Sequence, residues 1–529
     1  MSKPPAPPAQ PISLAAHLPK RLTLPVWMFL LALGALSLWA FYRLGVTDIY
    51  GDALAHMEGA RRIFDSMTPG YPEIGTVWLP LFHLIVSPLA ASDFLWRSGL
   101  AGSIVSMACF VVAGWSLFRL GLEMNGSFAA GLVALAGFAL CPNMLYLASM
   151  PMTESMAILW AVLTVYGLFR FQQSGSDWTL ALAGLAAFAG TLTRYDEWYV
   201  LPFAAIFVFL ARPGPWRERF RRLLLFSLIA GAGPALWLLH NAYRFGNPLE
   251  FYYGPSSAKA IYAHQLATTG FRYPTEGSLV ISARYYLEDI RLIAGPWTLE
   301  LAVLGWVALV ADRQSRIRRS AGLLLIVPLA FYVQAMAHAA VPLYVPPFFP
   351  FTYYNLRYGL ELLPGLALSS CFVISPRLNA RTRRALAAAF ITILAWQGVA
   401  QIRGGLVTLP LVRECVLNTP CKSPESEAVT RFFDKHYDGG RVLMASGKWP
   451  CVAPRVGIDY RNILTQDNRR YWRRLKQDPG HWVEWIVTAD GDAVDNLMRA
   501  YPRAFRNFQP VLRVTAQRRT VSIYRRKTS

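Results

Sequence analysis

The sequence predicts a mainly α protein, a polytopic transmembrane helical bundle of about 11 spans followed by a small soluble α/β domain. Three observations carry this. Of the 529 residues, 54% are hydrophobic and only 16% are charged, against about 25% charged in soluble proteins. Apolar runs alternate with short arginine-rich connections, the pattern of multi-span membrane proteins. From Pro424 onward the composition turns polar and strand-like.

Residues 1–21 form a Pro/Ala-rich tail carrying Lys3, Lys20 and Arg21, expected on the cytoplasmic side. The apolar run 22–44 is long for a signal peptide and has no convincing cleavage site, so it reads as a retained first span. Further spans are expected at 96–118, 127–147, 154–172, 178–194, 198–211, 223–243, 294–311, 321–338, 356–375 and 385–403. Three connections are rich in arginine: Arg212, Arg217, Arg219, Arg221 and Arg222; Arg313, Arg316, Arg318 and Arg319; and Arg377, Arg381, Arg383 and Arg384. This arrangement puts all three on the inside, as the positive-inside tendency requires. The run 78–91 is short and interrupted by Pro80, His83 and Pro88. Counting it as a span would reverse every later loop, so it is expected to lie at the outer interface.

The external segments are then the loop 45–95, the turn 148–153, the junction 194–198, 244–293, 339–355 and the C-terminal domain 404–529. They hold nearly all the His, Asp, Glu, Tyr and Trp suited to chemistry, so function is expected to face outward from the cell (inner) membrane. The net charge of +21 sits largely in the connections that set topology and does not point to nucleic acid. In the C-terminal part, "RVLMAS", "VEWIVTAD", "VLRVTA" and "TVSIYRR" read as strands and "DAVDNLMRAYP" as a helix. No Gly-rich phosphate loop occurs there, and no chemistry is assigned to it. Cys109, Cys141 and Cys371 lie in apolar runs as small hydrophobes. Cys415 and Cys421 flank "VLNTP" and are expected to pair in an oxidising compartment, leaving Cys451 free, with Cys451 as the alternative partner for either. No Cys/His metal spacing occurs.

Four stretches carry candidate chemistry. In "DIYGDALAHMEGARRI", Asp48, Asp52 and His56 recur every four residues, and Asp52 falls at the N-cap or first turn of a helix, where the dipole favours a carboxylate. The bland reading is a cap on an interfacial helix. In "SMPMTES", Glu154 opens a span behind Pro151 and Thr153; it could equally be a first-turn dipole partner with Thr153 as the cap. "TLTRYDEWYVLP" places Arg194, Tyr195, Asp196 and Glu197 between two apolar helices. Snorkelling excuses one arginine at a helix end, but not Arg-Tyr-Asp-Glu on the outer side. "YYNLRYGLELLPGLAL" places Arg357 and Tyr358 at the outer start of a span with Glu361 one turn on. Arginine there suits a lipid phosphate, which it grips bidentately. His240 and His338, at outer helix ends, are read as structural.

Taken in order, these residues resemble the GT-C superfamily of membrane glycosyltransferases. The nearest groups are the dolichyl-phosphate-mannose–protein mannosyltransferases of glycosyltransferase family 39 and the bacterial transferases that place aminoarabinose on lipid A. The resemblance spans roughly residues 22–403: a first span, a long loop whose helix opens on an acid ("GDALAHMEGARRI"), an interfacial Pro-containing helix ("VWLPLFHL"), an acidic turn ("MPMTES"), a basic helix end ("LTRYDEW") and "NLRYGLELLPGLAL". The family's second acid after Asp52 is Ala53 here, and the Asp196–Glu197 pair is unusual.

The resemblance implies transfer of a sugar from a polyprenyl-phosphate donor to a glycan, lipid or protein acceptor at the outer membrane face, with inversion at the anomeric carbon. Asp52 and Glu154 would be the catalytic carboxylates, with Asp52 as base. Arg194 and Arg357 would hold the donor phosphate, and Asp48, His56, Tyr195, Asp196, Glu197, Tyr358 and Glu361 would shape the pocket. No cofactor is implied with certainty, and a divalent metal is compatible with the chemistry. Two rival classes share the many spans. A carrier for lipid-linked or soluble glycans would need a polar site open to both faces, and the inner connections offer little but arginine. A scaffold would not need two carboxylates and two arginines at one level.

Overall fold

The computed structural model describes residues 20–312, 319–516 and 519–527. Residues 1–19 of the expected tail, and Arg313, Arg316 and Arg318, lie outside the described residues. Each of the eleven runs expected to span is helical in whole or in part. Among the described residues, six helices are long and apolar enough to cross a membrane, or up to eight if each of two bent pairs counts as one span. The chain is a multi-pass membrane protein. The shortfall from eleven has a plain geometric origin. Asp177–Thr191 and Asp196–Leu210 have 15 residues each, about 22 Å at 1.5 Å per residue, short of a hydrocarbon core of about 30 Å. The run 356–375 divides into a 3₁₀ helix, Leu356–Leu362, and a short α-helix, Leu363–Ser370. The run 78–91 forms one ten-residue helix, Leu81–Ala90, half the length of a span.

The core of the bundle is Leu100–Asn125 packed against Phe128–Ala139 and Glu154–Ser174, with Asp177–Thr191 beside the last and Trp216–Phe245 beyond it. Close approach relies on small residues. The clearest case bears on the site: a Cβ on Gly102 would lie 2.3 Å from Pro151 Cβ, so only glycine lets the 149–153 turn settle onto that helix. The arginine connections gather at one end of the bundle. Arg212 donates to the carbonyl oxygens of Gln172 and Gln173, Gln172 donates to Ser320, and Arg377 pairs with Asp312 at 3.2 Å. The loop 45–95, the 149–153 turn, the 192–195 junction and the C-terminal domain occupy the opposite end.

The C-terminal domain is built on a five-stranded sheet in the order β2-β1-β3-β5-β4. The strands are β1 (Val442–Leu443), β2 (Ile463–Leu464), β3 (Trp485–Ala489), β4 (Phe508–Ala516) and β5 (Arg519–Arg526). β2, β1 and β3 are parallel; β5 and β4 complete the sheet antiparallel. The expected helix is Ala493–Ala500, capped by Asp492, whose carboxylate accepts from the amides of Val494 and Asp495. β2 has no counterpart in the sequence reading.

The cysteine expectation is corrected. Cys421 pairs with Cys451, and Cys415 is a free, buried thiol. The cause is helical geometry. Cys415 lies inside the helix Pro410–Asn418 and faces the bundle, 3.9 Å from Met150 Sδ, whereas Cys421 lies in the following 3₁₀ turn, Pro420–Lys422.

Candidate active site

Four chain segments bring their charges to one point. The 149–153 turn is fixed by Gly102 and by Ser106, whose hydroxyl donates to the Met152 carbonyl oxygen at 3.1 Å. It delivers Glu154 as the first residue of its helix, with its side chain 0% exposed. Thr153 occupies the N-cap position without capping through its side chain; its hydroxyl instead accepts from Arg194 at 3.2 Å. The junction between Asp177–Thr191 and Asp196–Leu210 presents Arg194. Asn355, in the left-handed conformation at φ 60°, turns the chain into the 3₁₀ helix that presents Arg357. Asp52 stands in the first turn of Gly51–Arg62, behind Tyr50 at the N-cap position.

Both guanidinium groups converge on one oxygen of Glu154: Arg194 Nη1 lies 2.9 Å and Arg357 Nε 2.6 Å from Oε1. Arg357 also donates from Nη2 to Asp52 at 2.6 Å and to the Tyr358 hydroxyl at 3.3 Å, and from Nη1 to the Tyr50 hydroxyl. Arg194 reaches Asp196 at 3.2 Å, Glu361 at 2.8 Å and the Tyr332 hydroxyl at 3.0 Å. The Tyr358 ring lies beneath both cations, 5.5 Å from Arg194 and 4.8 Å from Arg357. Buried charges persist only when paired and hydrogen-bonded, and here four carboxylates face two arginines. Of these, Asp52 alone is substantially open, with 41% of its side chain exposed. Glu154, Asp196 and Glu361 are closed in.

Of the pocket residues expected from the sequence, Asp196, Glu361 and Tyr358 join this cluster. His56 stands beside it, with Nδ1 2.9 Å from His83 Nε2 and its ring centroid 4.4 Å from that of Trp78. Burial pulls both histidines down from 6.5 to about 3, so the pair is neutral, one ring donating and the other accepting. Three expected residues lie elsewhere. Asp48 faces a recess with Trp96, Arg97 and Pro454, where burial raises its carboxyl above the usual range. Tyr195 turns away, donating to the Val77 carbonyl oxygen and accepting from Trp237. Glu197 packs against Gly190. His240 and His338 serve as local anchors, bonding the Gly75 and Gln334 carbonyl oxygens. Among the described residues no group of three or more His, Cys, Asp or Glu is arranged to hold a metal ion.

Three residues of the cluster escaped the sequence reading. Tyr50 and Tyr332 are ordinary tyrosines in sequence, although Tyr50 adjoins the Asp52 motif. Glu414 is fully buried, accepts from Tyr50 at 2.8 Å and closes the cluster from the C-terminal side. It is the only acidic residue between Glu361 and Glu425, and that isolation was the available signal.

No protein-family model matches the sequence, and no curated protein matches it. Solved structures do. ArnT from Cupriavidus metallidurans bound to undecaprenyl phosphate superposes with a TM-score of 0.55 at 14% identity, covering 94% of this chain and 97% of that one. The same protein in the apo state gives 0.51 at 12% identity with the same coverage. Identity this low speaks to fold alone. Over nearly its whole length, C-terminal domain included, the chain has the fold of ArnT, the GT-C fold that the order of its motifs implied.

Proposed function

We propose that the chain is a membrane glycosyltransferase that moves a sugar from a polyprenyl-phosphate donor to an acceptor hydroxyl at the external face of the inner membrane, with inversion at the anomeric carbon. The observation that supports this reading is the convergence of Arg194 and Arg357 on the buried Glu154, with the half-open Asp52 on the same arginine. The ArnT structure that shares this fold contains undecaprenyl phosphate, a lipid phosphate of the kind such an arginine pair would grip.

In this reading the acceptor approaches from the side where Asp52 is exposed. Asp52 takes the hydroxyl proton as the oxygen attacks the anomeric carbon. The bond from that carbon to the phosphate oxygen breaks, and the electron pair leaves with the prenyl phosphate. Arg357 and Arg194 stabilise the charge that builds on the phosphate. Glu154 holds the two guanidinium groups together and orients them. Because the arginines are already engaged by carboxylates, the donor phosphate must exchange for one of them, and Asp52 is the most accessible. Binding of donor thereby frees Asp52 to act as base.

The test is turnover by the purified chain in lipid nanodiscs with a panel of polyprenyl-phosphate sugars and a cell-envelope glycolipid extract as acceptor, read as acceptor-dependent release of prenyl phosphate. Asp52→Asn keeps shape but cannot take a proton. It should retain donor binding and lose roughly 10²–10⁴ in turnover, the usual worth of general-base catalysis. Near-normal turnover by Asp52→Asn would remove it from that role.

A further inference from the structure

Glu414 belongs to a segment without assigned chemistry, the helix Pro410–Asn418 between the last long helix and the C-terminal sheet. Its carboxylate is nonetheless at the centre of the architecture around Arg357. Oε1 accepts from the Tyr50 hydroxyl at 2.8 Å and from the Asn355 amide at 2.6 Å, and Oε2 accepts from the Leu356 amide at 2.9 Å. Asn355 and Leu356 open the 3₁₀ helix that carries Arg357, so Glu414 supplies in trans the anionic cap that this helix start lacks from its own side chains. Tyr50 immediately precedes the helix that carries Asp52, and its hydroxyl accepts from Arg357 Nη1. A single chain of hydrogen bonds therefore runs from Arg357 through Tyr50 to Glu414.

We propose that Glu414 is the positioning residue of the donor site: by holding Tyr50 and the Asn355 and Leu356 amides at the start of the 356–362 turn, it fixes the guanidinium of Arg357 where the prenyl phosphate must meet it. Its own helix is braced for this, with the Leu411 amide donating to Asn143 Oδ1 at 3.2 Å and Asn143 donating to the Ile293 carbonyl oxygen at 2.9 Å. The proposal rests on the donor-phosphate reading of Arg357. It makes the C-terminal segment part of the site rather than an appendage. The competing account is that Glu414 only stabilises the fold.

The test uses the full chain in nanodiscs and undecaprenyl phosphate as probe, with bound lipid counted by native mass spectrometry. Glu414→Gln cannot accept from both amides. Tyr50→Phe removes only the linking hydroxyl and keeps the packing, so it carries the test even if Glu414→Gln fails to fold. Each should weaken probe binding roughly ten- to a hundredfold, the worth of a hydrogen bond to a charged group. Because both act through Arg357, neither should weaken binding further when combined with Arg357→Ala. Wild-type affinity in both single variants, or losses that multiply in the double variants, would overturn the positioning role while leaving the phosphate reading intact. Unchanged affinity in Arg357→Ala itself would overturn both.

Discussion

Breaking the Cys421–Cys451 disulfide should loosen the C-terminal domain and, through it, the helix that carries Asp52. The bridge closes a segment with a sequence separation of 30 residues. The loop-entropy relation then gives a stabilisation of about 3.7 kcal/mol. The effect reaches the site by contact. Leu54, on the helix that carries Asp52, forms a small buried cluster with the two cysteines, and a Cβ on Gly51 would sit 3.9 Å from the Pro420 ring. Hydrogen exchange of the β3 amides (Trp485–Ala489) reads the opening free energy of this unit directly. In Cys421→Ser, exchange there should accelerate about 500-fold, with a measurable gain also at residues 51–57. Cys415→Ser should leave exchange in β3 unchanged. Unreduced peptide mapping should recover a Cys421–Cys451 crosslink. A crosslink containing Cys415 would show a different bridge, and unchanged exchange after reduction would show that the bridge does not hold this domain.

Three further outcomes follow from the same geometry. Arg357→Ala and Arg194→Ala should each lose prenyl-phosphate binding in nanodiscs, with lysine rescuing only in part because it cannot bond bidentately; unimpaired binding in both alanine variants would exclude the clamp. Glu154→Gln keeps an acceptor between the two guanidinium groups but removes a buried charge, and should lower thermal stability by about 2–3 kcal/mol as two ion-paired hydrogen bonds become bonds from a cation to a neutral amide oxygen, with turnover falling alongside; a stability equal to wild type would contradict the shared pairing. For the His56–His83 pair, burial lowers both histidines from 6.5 to about 3, so the unfolded chain binds more protons between these values and the pair's contribution is complete above about pH 6.5 and lost as pH falls toward 3. Exchange protection of the 51–62 helix should therefore decline on acidification, and the decline should flatten in His56→Gln/His83→Gln.

Much of the architecture was legible because the bilayer imposes a coarse code. Apolar run length located the helices, and arginine placement located the end of the bundle where Arg212, Asp312 and Arg377 meet. The four charges chosen from the sequence, Asp52, Glu154, Arg194 and Arg357, do converge, because a charge at a helix junction of such a chain needs a partner and the other charged junctions supply it. What was illegible depends on direction and tertiary reach. Tyr195 adjoins Arg194, yet the turn sends it to Val77 and Trp237. Asp48 shares a four-residue spacing with Asp52, but the helix begins at Gly51, so helical periodicity does not extend back to it. Cys415 and Cys421 are close along the chain but lie on separate elements with different directions. Glu414 acts through a cap supplied across 58 residues of sequence to Leu356, a relation with no local signature.

A site that transfers a sugar from a lipid phosphate must leave its product in the surface chemistry of the cell. Mass spectrometry of glycans and glycolipids should be compared between wild type, a deletion strain, and deletion strains complemented with the wild-type chain or Asp52→Asn, with expression verified in each. A glycosylated species should disappear on deletion, return with the wild-type chain and fail to return with Asp52→Asn. An unchanged set of glycans and glycolipids on deletion, under conditions where the protein is expressed, would contradict this transfer.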